Sequence, residues 1–347
     1  MTRFRSIPEQ TAFRPTPRTA VRPSVVRAGS RIETMDVLAS SNRTLERQAG
    51  EASVERLKNR LALEKSLPLQ PGTESRLLLQ PDPVGKGTVV MLHGWSGGTY
   101  QYDDMAKLVY AQGKNVYVPR LEGHGFRRPD GSQDPSHMVK AGERQRYHRF
   151  AEQVFDDVRG LGPVQLVGLS GGANVALDIA ARHPEVKGVV AMAPLLGIEN
   201  AQGARAYHVF TALDRLSFGQ ASQLLDRVSH KWGPTWPGLP GHWEHTLGGM
   251  FAVATYGHKV LHDLGNNRVP IQFITSRADT TASRSMIFQA FERAGGSKNN
   301  GWYDFENVVH PMVSSHTNPD RQSIDVLTRI TLDFLESGKR VGKRPTK

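Results

Sequence analysis

The sequence predicts an α/β fold, a mostly parallel sheet with helices on both faces and an inserted helical cap. Three observations carry this expectation. Short apolar runs alternate with helical patterns from Thr88 to Ala193, the arrangement of parallel strands joined by crossover helices. The alternation stops at Pro194, gives way to a stretch rich in Gly, His and aromatic residues, and resumes at Val269. Finally, the apolar run Val164–Leu169 leads through Ser170-Gly171-Gly172 directly into a helical pattern, which reads as a buried strand turning sharply into a helix.

Taken in order, residues 1–34 contain Pro8, Pro15, Pro17 and Pro23 without sustained periodicity and predict a flexible basic arm. An N-terminal helical segment is expected over 35–74. Within it, Leu45, Val54, Leu57, Leu61 and Leu63 are interspersed with charges, and Gly50 predicts a break or weak point. The core is expected over 75–195 and 267–337. Its first part holds strands at Ser75–Gln80, Thr88–Leu92, Asn115–Pro119, Val164–Leu169 and Val186–Ala193, with helices at Tyr100–Gln112, Arg144–Arg159 and Asn174–Arg182. On that last helix Val175, Ala176, Ile179 and Ala180 share one face. Residues 196–266 are the expected cap, with a helical stretch Ala204–Leu225, no clear strand, and aromatics such as Trp232, Trp236 and Trp243. Strand Val269–Thr275, helix Thr281–Ala294, strand Trp302–Glu306 and helix Asp320–Leu335 complete the core, before a basic tail over 338–347.

A chain of 347 residues accommodates one large α/β domain with an insertion. Of the net charge of +11, residues 1–34 carry +5 and residues 338–347 another +5, leaving +1 for the body. The charge therefore sits in the tails, and no nucleic-acid partner is expected. There is no cysteine, which removes thiolate nucleophiles and Cys-based metal sites. No apolar run reaches the ~20 residues of a membrane span or resembles a signal-peptide core. A cytoplasmic protein without an integral membrane segment is expected.

The chemistry centres on Ser170. A hydroxyl on a tight strand-to-helix turn is held up at the end of the sheet, near the positive end of the helix dipole. Residues two positions to either side must be nearly without side chains, and Gly168 and Gly172 satisfy this. A serine nucleophile needs a general base, and the base an orienting carboxylate. In an open parallel sheet these groups gather beyond the C-terminal ends of strands. Asp279 follows the strand ending at Thr275 and is favoured over Asp263, although a plain helix cap is the alternative for it. His310 follows the last strand. It is favoured over its rival His316 because it lies nearer the strand end and leaves room for a loop before the final helix. A tetrahedral intermediate needs backbone donors. The N–H of Gly171 and, from the glycine-rich loop after Leu92, the N–H of Trp95 are expected to form the oxyanion hole. No metal or other cofactor is called for.

His93-Gly94-Trp95, Gly123-His124-Gly125, Gly168-Leu169-Ser170-Gly171-Gly172, Asp279 and His310 together resemble the α/β-hydrolase fold, and the order Ser, Asp, His matches it. Within that family the chain resembles the monoacylglycerol lipase, carboxylesterase and serine aminopeptidase-like branch, over roughly residues 75–337. The resemblance implies Ser170 as nucleophile, His310 as base and Asp279 as its partner. Gly171 is smaller than the residue often found after the nucleophile, and the N-terminal arm lies outside the resemblance.

The leading expectation is therefore a serine hydrolase that cleaves a carboxylic ester, such as an acylglycerol, lysophospholipid or similar apolar ester, through an acyl-enzyme. A small-molecule ester is the expected partner, and the oligomeric state is left open. An aminopeptidase or amidase with the same triad is the alternative, and a non-catalytic binding protein of the same fold is a third reading.

Overall fold

The apolar runs become strands of one sheet because their side chains are covered on both sides. The computed structural model describes residues 28–199, 201–216, 220–231, 244–310, 312–315 and 318–342. Its strands are β1 (Arg76–Leu78), β2 (Thr88–Leu92), β3 (Asn115–Val118), β4 (Val164–Leu169), β5 (Gly188–Met192), β6 (Ser229–Lys231), β7 (Glu244–Thr246), β8 (Ile271–Ser276) and β9 (Gly301–Phe305). Its helices are α1 (Ala28–Glu64), α2 (Asp103–Ala111), α3 (Gln145–Val158), α4 (Gly171–Arg182), α5 (Ala201–Leu216), α6 (Gln220–Leu225), α7 (Leu247–Asp263), α8 (Arg284–Arg293) and α9 (Arg321–Ser337).

Among the described residues, seven strands form the sheet in the order β1-β3-β2-β4-β5-β8-β9, and every pairing is parallel except β1 with β3. Strands β2, β3, β5 and β8 are buried at every residue, and β2 and β5 accordingly read as near-continuous apolar runs rather than as alternating ones. After β3 on one side of β2, the chain crosses to β4 on the other. Ligand sites of open α/β sheets lie beyond the strand ends at such a switch. The register sets the site: Leu92 lies opposite Gly168, and Ser276 opposite Phe305. The loop after β2 therefore emerges beside the turn after β4, and the loops after β8 and β9 emerge beside each other.

The chain divides into two units, Met1–Thr44 and Leu45–Lys347. In the first, the described residues are the opening part of α1. The expected arm therefore ends earlier than residue 34, since helix begins at Ala28. Residues 1–27 of that arm lie outside the described residues. In the second unit α1 continues unbroken through Gly50, which corrects the expected break. Gly50 is buried where a Cβ would overlap the Val84 side chain and lie 3.2 Å from the Gly160 carbonyl oxygen. Its lack of a side chain permits close packing, and the helix tolerates it because Leu57 behind it is fully buried in the core.

Between β5 and β8 the expected helical stretch Ala204–Leu225 is occupied by two helices, α5 and α6. The expected absence of strands is also corrected: β6 and β7 pair antiparallel, Ser229 opposite Thr246 and Lys231 opposite Glu244. At three residues each they are too short and polar for alternation to register. Helix α7 has no counterpart in the sequence expectation for the Gly-, His- and aromatic-rich stretch 196–266, and it contains Gly248, Gly249 and Gly257. Two of them are packing positions: a Cβ on Gly257 would overlap the Leu195 carbonyl oxygen, and one on Gly248 the Asp226 carboxylate. Thr246 starts the helix by accepting a 2.9 Å hydrogen bond from the Gly249 N–H. Among the described residues, no helix is long and apolar enough to cross a membrane.

Leu57→Ala should lower the unfolding free energy by about 2–5 kcal/mol. Leu63→Ala, on the same helix but 64% exposed, should change it by less than about 0.5 kcal/mol. Urea denaturation of both variants checks the contrast.

Candidate active site

Ser170 joins β4 to α4 with φ 54° and ψ −119°, in the left-handed region that side chains avoid. Such a conformation costs about 1–3 kcal/mol and persists only where its surroundings fix it. Here the Ser170 N–H donates to the Met192 carbonyl (2.9 Å), while the Ser170 carbonyl accepts from the N–H groups of Asn174 (3.2 Å) and Leu195 (3.3 Å). The turn is pressed onto the end of β2. A Cβ on Gly172 would overlap the carbonyl oxygens of Leu92 and His93, and one on Gly168 would run into the backbone of Ala173. The two glycines are thus required by close approach, and the serine hydroxyl projects from a turn that cannot relax.

His310, in the loop after β9, reaches both other side chains. Its Nδ1 lies 2.7 Å from Asp279 Oδ2 and its Nε2 lies 2.8 Å from Ser170 Oγ. A carboxylate only accepts, so Nδ1 carries the proton and donates to Asp279, leaving Nε2 to accept from the Ser170 hydroxyl. Asp279 is buried, and its second oxygen, Oδ1, accepts from the N–H groups of Thr281 (2.8 Å) and Ala282 (3.0 Å). Asp279 therefore caps its own turn and orients the imidazole at once. Burial pushes the Asp279 carboxyl upward, but the hydrogen bond and charge of His310 and the two backbone donors outweigh it, holding the group below the usual carboxylate range. The two loops are tied together by the Val308 N–H, which donates to Ser276 Oγ (3.1 Å). Asp263 instead pairs with Lys259 and His262 at the end of α7. His316 lies outside the described residues.

The two backbone donors expected for an oxyanion come from neighbouring segments. A Cβ on Gly171 would sit 2.8 Å from Trp95 Cβ and 3.4 Å from Trp95 N. The space that a side chain after the serine would take is thus filled by Trp95. The Trp95 loop is held by two buried imidazoles. His93 Nδ1–H donates to the Gly94 carbonyl (2.9 Å), and its Nε2 accepts from the Leu121 N–H (3.0 Å). His124 Nδ1–H donates to the Glu122 carbonyl (3.0 Å), and its Nε2 accepts from the N–H of Ser96 (3.3 Å), which has φ 69°. The sequence signals for both were the His-Gly strings at the ends of adjacent strands, although the strings alone do not disclose this bracing role. Three further neighbours carried no local signal. His245 of β7 stacks on the Trp95 ring at 4.1 Å, Tyr147 of α3 accepts from Trp95 Nε1–H at 3.2 Å, and Val253 of α7 lies against Gly171.

A hydroxyl bonded to an imidazole that is bonded in turn to a buried carboxylate is equipped for nucleophilic acyl transfer. Residues 89–316 match the Alpha/beta hydrolase family. The chain belongs to this family. A thermostable monoacylglycerol lipase from Bacillus sp. (strain H-257) is 28% identical over 108 residues, which span 31% of this chain and 39% of that lipase. Among solved structures, a Paleococcus ferrophilus monoacylglycerol lipase superimposes with a TM-score of 0.57 at 16% identity, covering 76% of this chain and 98% of that one. A carboxyl esterase from Bacillus coagulans, solved in complex with glycerol, does so with a TM-score of 0.53 at 14% identity, covering 75% and 92%. At these identities the structural likeness concerns the fold.

The lowered Asp279 carboxyl makes stability depend on pH. Its contribution is fully present above the unfolded value of about 3.9 and is lost as pH falls through the lower folded value. The urea midpoint of the wild type should exceed that of Asp279→Asn at neutral pH, and the gap should narrow as the pH is taken below about 3.9.

Proposed function

We propose that this α/β hydrolase is a serine esterase that cleaves a carboxylic ester with an apolar acyl group, of the acylglycerol kind, through an acyl-enzyme. Ser170 Oγ attacks the ester carbonyl while His310 Nε2 takes its proton. Asp279 holds the imidazole in the tautomer this requires and stabilises the imidazolium that forms. The negative charge developing on the carbonyl oxygen is received by the N–H groups of Trp95 and Gly171. His310 then protonates the departing alcohol. Water, activated by the same nitrogen, attacks the acyl-enzyme and releases the acid, returning the proton to Ser170.

The observation that carries this reading is the unbroken row Ser170 Oγ, His310, Asp279, with hydrogen bonds of 2.8 and 2.7 Å. The ester class is supported by the monoacylglycerol lipase and carboxyl esterase among the relatives. Residues 196–266 are proposed as the cap over the site. In support, α7 and β7 bring Val253 and His245 against Gly171 and Trp95, beside the Ser170 turn.

Hydrolysis of 4-nitrophenyl butyrate and of a monoacylglycerol tests the proposal. Ser170→Ala and His310→Ala should each reduce kcat/KM by about 10⁶-fold, leaving only the residual acceleration that substrate binding and the oxyanion donors provide. Turnover that survives Ser170→Ala, or an aminoacyl anilide hydrolysed faster than either ester, would overturn it.

A further inference from the structure

We propose that Tyr147 is a positioning residue for the oxyanion donor of Trp95, acting through the indole ring without touching substrate. The inference rests on the reading of Ser170 as a nucleophile and adds a residue to which that reading assigns no part.

Trp95 is held from four directions. Its Cβ abuts Gly171, where a side chain on residue 171 would come within 2.8 Å. The Cζ2 edge of its ring reaches α7, 3.7 Å from where a Cβ on Gly249 would lie. The face of the ring stacks on His245 at 4.1 Å and 26°. The fourth contact is its directional polar one: the indole Nε1–H donates to the Tyr147 hydroxyl at 3.2 Å. Stacking and dispersion tolerate sliding in the ring plane, whereas a hydrogen bond fixes where the Nε1 edge points. The backbone of residue 95 lies between Gly94, which is held by Gln101 Oε1 at 2.8 Å, and Ser96, which is held by His124. With both flanks fixed, displacement of the indole is taken up at the Trp95 Cα, and so by the direction of its N–H.

Tyr147 is suited to act as the anchor. It is fully buried, and its ring stacks on Tyr256 of α7 at 5.0 Å and 22°. The Tyr256 hydroxyl in turn donates to Asp178 Oδ2 at 2.8 Å. Asp178 also accepts from His148 Nδ1–H and Arg182, each at 2.8 Å. Because Asp178 and Arg182 lie on α4, the helix that Gly171 begins, the two oxyanion donors are referred to one helix. Gly171 is its first residue, and Trp95 is connected to it through Tyr147, Tyr256 and Asp178. A donor misplaced by a few tenths of an ångström loses part of its effect on the transition state and little of its effect on ground-state binding.

Tyr147→Phe keeps the ring and its packing while deleting the hydroxyl. With 4-nitrophenyl butyrate, kcat should fall about fivefold, the scale of one neutral hydrogen bond, while KM stays within about twofold. Affinity for phenylboronic acid, whose serine adduct is tetrahedral, should fall by the same factor as kcat. Trp95→Phe, which deletes the donor, should make Tyr147→Phe silent when the two are combined. Tyr110→Phe, on α2, removes a phenolic hydrogen bond to the Leu79 carbonyl and should leave kcat and boronate affinity unchanged. Wild-type kcat and boronate affinity in Tyr147→Phe would overturn the proposal. So would losses that multiply in the double variant, or an equal kcat loss in Tyr110→Phe. Turnover surviving Ser170→Ala would remove the nucleophile reading and this inference together.

Discussion

Everything at the site depends on one backbone turn. Ser170 is held with positive φ between a strand and a helix, and this forces three other features. Gly172 must lack a side chain because the carbonyl oxygens of Leu92 and His93 occupy its Cβ position, and Gly168 must lack one because of Ala173. The strand before the turn must be flanked by strands that fix its end, and β2 and β5 do so in parallel register. The helix after the turn must begin at once, which leaves the Gly171 N–H at its open end. A strained conformation survives when neighbours over-determine it. Here the Met192 carbonyl, the Leu195 N–H and the end of β2 supply that constraint.

The polar groups follow the same logic of saturation. Asp279 spends one oxygen on His310 and the other on two backbone N–H groups, so a buried carboxylate remains charged and cannot swing away. His93 and His124 each use both ring nitrogens on backbone groups. They brace the loop that carries Trp95 and fix their own tautomers. The segment between β5 and β8 meets the core at the same place, through Val253 and Gly257 of α7 and His245 of β7.

Much of this was legible in the sequence where the determinants are local. Strands β2 and β5 announced themselves as apolar runs because parallel burial leaves no polar face. Ser170 was marked by flanking glycines, and Asp279 and His310 by their places after late strands; these three are the side chains that hydrogen-bond in a row. Reading failed where a glycine's role depends on a distant neighbour. Gly50 reads as a helix breaker but is a contact point with Val84, and Gly257 of α7 likewise sits against a distant neighbour, the Leu195 carbonyl oxygen. Tyr147 and His245 were unreadable because their meaning lies in a ring 52 or 150 positions away in the chain.

The central claim is that the strained turn presents Ser170 as a nucleophile activated by His310. Mapping the attachment site of a fluorophosphonate probe by peptide mass spectrometry tests it most directly, because the probe reports the reactive atom without presuming a substrate. The account predicts one adduct, on Ser170, formed by the wild type and abolished in His310→Ala. An unlabelled protein, or an adduct on any other residue, would contradict it.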